Sequence, residues 1–474
     1  MRDPTWSRIV AWCGAASFAS TLLAGARPAS AAGVAVLEQS PRLTGTAYAG
    51  TAALAEDASM AFFNPAGLTR LRGGSLVATA TVIDANIDFE ASSATTWGQP
   101  VTGPNGSLDA EGGDSGALPT FHFAQRFADQ WVGYLGVTSP VDVITDYPDT
   151  GVTRYVATLS QLKTININPA VAFGPLYDVS IGAGFNAQHM RGHFNQKLAV
   201  PTIPFDTLFG RSIGDINSLL ESNDWAFGWN AGVLWEADPS LRFGVGYRSA
   251  IHHTLTGTGS LILPVVPIVL PNGGSVPVES RAGFTVPQSV TMSGAWQPAG
   301  WLQVLADAQW TNWSAFKQLS VGLSYPASVS QTLGPLAALL PTKDSIYEGF
   351  RDTWRGTVGA QIFPDDRWTI RFGSGFDQSP VYNANRTMRL PDGNRVQLAL
   401  GFGYRIWEQT FVDFGYAHFF IGDGTANETN ETLDASNIQG TFETSADVFG
   451  LQFTYNWEHV PWEGLPFVSE ESGS

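Results

Sequence analysis

The chain has 474 residues, with 25 Lys and Arg against 42 Asp and Glu and a formal charge of −17. An acidic balance of that size argues against a nucleic-acid partner, whose phosphates demand basic surface. Charged residues make up only 14% and aromatics reach 12%, which leaves too few charges to cover the several water-soluble domains that such a length would otherwise suggest.

In chain order, residues 1–31 read as a signal peptide. Arg2 and Arg8 precede an apolar run from Ile9 to Leu23, and Ala29-Ser30-Ala31 supplies the small residues of a cleavage site. The run is short for a bilayer span and is interrupted by Gly14, Ser17, Ser20 and Thr21. The mature chain is expected to begin near Ala32. Cleavage would remove Cys13, the only cysteine, and with it disulfides, thiol catalysis and cysteine-ligated metals. Three arginines and one aspartate go too, so the formal charge falls to about −19.

Residues 32–74 look unlike the rest. The stretch EDASMAFFNPAGL, from Glu56 to Leu68, opens with helix-start chemistry, and Asn64 before Pro65 forces the chain out of helical geometry. The segment is too short to bury a core of its own, but Leu54, Phe62, Phe63 and Leu68 can pack inside a larger shell.

From about Ser75 the sequence falls into segments of roughly ten residues with the period of a two-faced strand. In WTIRFGSGF, Trp368, Ile370, Phe372 and Phe376 share one face, and Thr369, Arg371, Gly373 and Gly375 the other. In VQLALGFGYRIW, Leu398, Leu400, Phe402, Tyr404 and Ile406 oppose Gln397, Ala399, Gly401, Gly403 and Arg405. A soluble sandwich would also alternate, but with an aliphatic inner face and Lys, Glu and Thr outside. Here one face is apolar with Trp and Tyr at its ends and the other is Gly, Gln, Asn and Arg, the lipid-out, lumen-in pattern of an outer-membrane barrel. No stretch of about twenty apolar residues follows the signal, so helices are not the membrane-crossing elements.

The fold expected is therefore all-β, a transmembrane antiparallel β-barrel of about fourteen strands over residues 75–457, with a small N-terminal segment carrying short helices and a tail at 458–474. The third strand is placed at 131–143. The turns YD, DPS, QPAG, PDD and WEQ are short and belong to the periplasmic side; the alternate connections are long.

Two long connections are apolar. Residues 196–223 contain Phe205, Leu208, Phe209, Ile213 and Leu220, and residues 259–282 contain Leu261, Leu263, Val266 and Ile268. Either each packs against the barrel rim, or together they form exposed apolar surface, which marks a binding site. The ligand expected there is a hydrophobic small molecule.

At this point the sequence resembles the FadL family of outer-membrane transporters for long-chain fatty acids and other hydrophobic compounds. The matching stretches run the length of the mature chain: LEQSPRLTGTAYAGTAALAEDASMAFFNPAGL, TDYPDTGVTRY, SQLKTININPAVAFG, GWNAGVLWEADPSLRFGVGYRS, TNWSAFKQL, EGFRDTWRGTVGA, and GFDQSPV followed by RLPDGNRVQLALGFGY. The resemblance implies a fourteen-stranded barrel in the outer membrane of a Gram-negative bacterium, plugged by residues 32–74, with Phe63, Asn64, Pro65 and Ala66 in the Asn-Pro-Ala hatch motif. It also implies capture between two outer loops, passage to a pocket beneath them, and lateral exit at a distorted third strand. Pro140 offers a physical reason for such an exit, since within a strand it has no N–H for the ladder; the alternative is that it ends the strand early. The tail after Trp457 departs from barrels that end on an aromatic residue.

Fatty-acid carriers of the family place basic side chains near the carboxylate. The matching positions here are Gln196 and Ile346, neither of them basic, so Arg191, Lys197, Arg351 and Arg355 are the candidates for that contact. Roughly ten buried methylenes would suffice for micromolar capture without any charge; the cargo expected for passive uptake is a long-chain fatty acid, with a neutral or aromatic hydrocarbon as the alternative. No GxxxxGK[ST] or HExxH occurs, and adjacent His252 and His253 point to opposite faces of a strand; no cofactor or metal is expected. The inward Arg242, Arg248, Arg355, Arg371 and Arg405 are expected to be ion-paired in the lumen. A barrel enzyme would need a Ser-His or acidic dyad at its rim, and a general porin short charged loops and a constriction; neither is legible. The partners expected are outer-membrane lipid and lipopolysaccharide, with the chain a monomer.

Overall fold

The computed structural model describes residues 37–199, 215–262, 274–333, 340–430 and 435–458. The expected signal peptide and nearly all of the expected tail lie outside these residues.

Fourteen antiparallel strands form the wall. They are β1 (Gly74–Thr96), β2 (Ser115–Ala128), β3 (Trp131–Thr138, continued as Asp142–Asp146), β4 (Leu159–Leu176), β5 (Val179–Leu198), β6 (Ile216–Asp238) and β7 (Leu241–Arg248, continued as Ile251–Ile262). Then follow β8 (Ser275–Val286 and Ser289–Ala299), β9 (Leu302–Thr311 and Gln318–Ser324), β10 (Lys343–Tyr347 and Thr353–Ile362), β11 (Trp368–Asp377), β12 (Arg395–Trp407), β13 (Thr410–Asn430) and β14 (Ser436–Trp457). β1 pairs with β14 from Gly74↔Trp457 to Thr95↔Asn437, closing the barrel so that no edge faces lipid there.

The lipid-facing row is as the alternation predicts: Trp368, Phe372, Leu398, Leu400, Phe402, Phe449 and Leu451 are all exposed. On β6, Trp225 and Trp235 are exposed on the same face. Ten residues at about 3.3 Å, tilted by about 40°, put them roughly 25 Å apart along the barrel axis, the height of an outer-membrane apolar band. Trp354 and Phe420 mark the outer girdle, and Trp131, Trp296, Trp301 and Trp407 the inner one.

The strands extend further outward than the sequence pattern indicates. Residues 216–223, read as loop, begin β6, and 196–198, 259–262 and 275–282 also belong to strands. Period-two alternation is obscured there because lumen-facing positions such as Leu198, Leu261, Val276 and Val278 are apolar rather than polar, each at most 6% exposed.

Residues 37–72 lie within the barrel. They contain a single helical turn, α1 (Pro41–Thr44), and two 3₁₀ turns at Ala58–Phe62 and Pro65–Arg70. Asn64 caps the last, its Oδ1 accepting the Ala66 N–H at 3.0 Å, which frees Pro65 to occupy the first position where an N–H is not needed. The Asn64 Nδ2 donates to the carbonyls of Ala52 at 2.7 Å and of Val233 on β6 at 2.9 Å. Gly232 and Gly244 stand opposite: a Cβ at either would collide with Asn64 or with the Ala52 carbonyl. The glycine-rich inner face is thus the surface on which the N-terminal segment rests.

Arg42 is the hub of that seat. Its guanidinium lies 2.7 Å from Asp413 of β13, 3.0 Å from Asp57 and 3.4 Å from Glu56, and Asp413 also receives Arg371 at 2.7 Å. The expected lumen ion pairs are realised for Arg371 only. Arg242 donates to the carbonyls of Ala53 and Leu54, Arg248 to that of Phe62, and Arg355 to Gln309, while Arg405 bonds the Asp366 carbonyl at the periplasmic rim. Two inward arginines therefore clamp backbone of the N-terminal segment instead of meeting wall carboxylates.

Candidate functional site

An apolar cavity opens in the outer half of the lumen. Phe194, Gln196 and Leu198 enter it from β5, Ser218 and Leu220 from β6, Leu319, Val321 and Leu323 from β9, and Asp344 and Ile346 from β10. Alternation explains the selection, because these positions share the inward face of their strands. Pro341 and Arg389, from the connections before β10 and β12, complete the lining.

Arg389 is the cavity's cation. It is 5% exposed; Nη1 donates to the Ser160 Oγ at 2.8 Å, and Nη2 donates to the Gln196 Oε1. Its guanidinium lies 5.9 Å from the Phe194 ring. Sequence reading passed over this residue although it heads the RLPDGNRV stretch, since nothing local distinguishes it.

Below the cavity the lumen is filled by apolar side chains, among them Val141, Leu162, Met190, Phe284, Phe316 and Phe350. The Phe284 and Phe316 rings are 4.9 Å apart, and those of Phe316 and Phe350 5.3 Å. A second cavity lies beneath, bounded by Leu37, Phe62 and Phe63 of the N-terminal segment, by Arg248 and Ile251, and by Pro140.

At Pro140 the wall is irregular. The β2–β3 ladder ends at Phe121↔Val137, and main-chain contact resumes where the Asp146 N–H meets the Gly112 carbonyl at 3.1 Å. On the other side β3 stays on β4, but between the pairs Thr138↔Asn166 and Asp142↔Lys163 it advances four residues while β4 advances three. Pro140 thus sits in a one-residue bulge. Pro119, on β2 and facing the same interval, is a second residue without an N–H.

The basic residues singled out from sequence do not gather at the cavity. Arg191 lies on the outward row of β5, more than half exposed and paired with Glu221 of β6. Lys197 occupies the same outward row, one residue from the inward Gln196. Arg351 stacks on Tyr382 at 4.8 Å in a separate polar basin, and Arg355 is buried beside Gln309 at 3.2 Å. Leu220 lines the cavity; Leu261 is 1% exposed, packed with Leu198 and Val276 just above it. Phe205, Leu208, Phe209, Ile213, Leu263, Val266 and Ile268 lie outside the described residues. Among the described residues no group of three or more His, Cys, Asp or Glu could hold a metal ion, and no helix is long and apolar enough to cross a membrane.

A closed barrel with its lumen occupied, an apolar cavity beneath its outer connections and a bulged wall strand defines a membrane transport protein. Residues 22–457 match the model of the outer membrane protein transport protein family (OMPP1/FadL/TodX), and the chain belongs to that family. It is 28% identical over 434 residues to the long-chain fatty acid transport protein of Salmonella typhi and 29% over 446 residues to that of Escherichia coli (strain K12). Each match covers 87% of this chain and 91% of the relative. The crystal structure of a Pseudomonas aeruginosa FadL homologue has a TM-score of 0.76 at 24% identity, covering 90% of this chain and 100% of that one. For the Pseudomonas putida toluene transporter TodX the TM-score is 0.61 at 14% identity, again over 90% and 100%; these two likenesses concern the fold.

Proposed function

We propose that the protein carries hydrophobic compounds, foremost long-chain fatty acids, inward across the outer membrane without energy input. The cargo enters the Arg389 cavity from the outer connections and leaves sideways through the wall at the β3 bulge. The observation that carries this reading is the cavity itself, lined mainly by apolar side chains and, among the described residues, by one buried, hydrogen-bonded cation, Arg389. Methylene burial at about 0.8 kcal/mol each supplies affinity for a chain, and Arg389 supplies a charged partner for a head group. The relatives named for long-chain fatty acid transport favour this cargo; the toluene transporter's fold keeps a neutral hydrocarbon as the second reading.

Residues 32–74 act in this scheme as the plug that stops the lumen from conducting. The protein performs no chemistry on its cargo and works as a monomer, its girdle in lipid and its acidic outer connections among lipopolysaccharide. Competition binding of a long-chain fatty acid against its methyl ester and an alkane of equal length tests the cargo: preference for the free acid supports the fatty-acid reading, and equal binding of all three shifts it to neutral hydrocarbons.

A further inference from the structure

The buried cation of the cavity is outnumbered. Three carboxyl groups act on Arg389 from the elements around it: Asp344 from β10, Glu348 from the residue after that strand segment, and Glu428 from β13. Glu348 and Glu428 are 1% and 8% exposed. Both reach the residues just before Arg389, the Glu428 Oε2 accepting the Met388 backbone N–H at 2.7 Å and the Glu348 Oε1 the Thr387 side-chain hydroxyl at 3.4 Å. Among the described residues the buried Glu348 Oε2 has no hydrogen-bond partner. The remaining polar neighbours among the described residues bring no second cation. Ser160 and Gln196 are neutral, the Tyr147 hydroxyl donates to the Met388 carbonyl at 3.0 Å, and Lys343 of β10 is exposed. All of these groups stand on the outer side of the Trp354 and Phe420 girdle.

A buried charge persists only if it is balanced. One guanidinium balances one carboxylate, so three ionised acids would leave two uncompensated negative charges in a dry site. Burial, and then the neighbouring Glu428, push the Glu348 carboxyl up to about 8, in keeping with an acid that holds its proton at neutral pH. A ligand carboxylate would be a fourth acid on a single cation.

We infer that this is a net-neutral site: Asp344, Glu348 and Glu428 make the cavity accept a carboxylate-headed chain only together with one proton, and an uncharged head with none. The inference rests on the reading that the Arg389 cavity takes the cargo. When the carboxylate meets the Arg389 guanidinium, whose hydrogen bonds go to Ser160 and Gln196, one carboxyl of the surrounding cluster of Asp344, Glu348 and Glu428 takes a proton from solvent, and the charge of the site is unchanged. The proton is shared by the cluster and not owned by one residue.

The test is calorimetric titration of the purified full-length barrel with hexadecanoic acid and with its methyl ester, at pH 7, in buffers of differing ionisation enthalpy. Expected is the uptake of about one proton per acid bound and about none per ester, with acid affinity falling roughly tenfold from pH 7 to pH 8 while ester affinity stays flat. Normal binding of the acid with no proton uptake overturns the inference. In the triple variant Asp344→Asn, Glu348→Gln, Glu428→Gln, ester binding reports that the cavity is intact, and proton uptake with the acid should vanish. If uptake persists there, the proton rides on the ligand and the cluster has no part. Absence of binding by either ligand to the unaltered protein would instead remove the proposed function itself.

Discussion

Gln39 and Ser139 exchange two hydrogen bonds, the Gln39 Nε2 donating to the Ser139 carbonyl at 2.8 Å and the Ser139 N–H to the Gln39 Oε1 at 3.1 Å. The same stretch reaches the neighbouring strands, since Thr120 of β2 donates to the Gln39 carbonyl and Thr81 of β1 to that of Glu38, each at 3.2 Å. Gln39 thus takes over, from inside the lumen, the pairing that β2 fails to give β3 at its bulge. Two neutral hydrogen bonds contribute about 2 kcal/mol. Gln39→Ala should therefore ease opening of the wall: uptake of labelled fatty acid by cells should rise severalfold, with affinity at the Arg389 cavity unchanged. A slower rate would mean that Gln39 guides cargo instead of closing the gap.

Arg42 answers three carboxylates within 3.4 Å, two of them buried. Its loss leaves Asp57 and Asp413 without their main counter-charge, a change that costs about 3–5 kcal/mol when a buried pair is broken. Arg42→Met should loosen the seat of the N-terminal segment while the wall, held by its own ladders, still forms. In a planar bilayer the variant should show intermittent currents, and deletion of residues 32–74 large steady ones. Silent bilayers in both cases would show that the segment is not what blocks the lumen.

Among the described residues, Arg389 is the only basic side chain lining the outer cavity. A hydrogen bond to a charged group contributes about 1.5–3 kcal/mol, so Arg389→Met should weaken binding of the free acid roughly ten- to hundredfold and that of the methyl ester far less. Equal loss for both ligands would indicate collapse of the cavity. No loss for either would return the head group to solvent.

The wall was legible in the sequence because lipid imposes one simple demand on every outward residue, and it repeats from Trp368 to Trp457. The seat of the N-terminal segment was half legible: Asn64-Pro65-Ala66 announced a cap, but the wall carbonyl that Asn64 binds and the glycines it needs opposite lie more than a hundred residues away. Arg191 and Lys197 were misjudged by parity. Gln196 faces inward, so residues 191 and 197, at odd spacing from it, face out. Arg389 carried no local signal at all, since its role arises from four strands converging on one irregular connection. Pro140 was legible as chemistry, a missing donor, whereas the extra residue that makes the bulge appears only in the register between β3 and β4.

That register supplies the most direct test of lateral exit. Changing Pro140 to Val restores a donor but not the count, because β3 would still be one residue long against β4. Deleting Pro140 brings the two strands into continuous register and should close the wall. The measurement is uptake of a labelled long-chain fatty acid by cells carrying the deletion, alongside its binding to the purified variant. Binding kept within about twofold, with uptake reduced by roughly tenfold or more, is the predicted result, since a ladder in lipid is costly to break. Undiminished uptake by a variant shown to have continuous β3–β4 pairing would contradict exit through this wall.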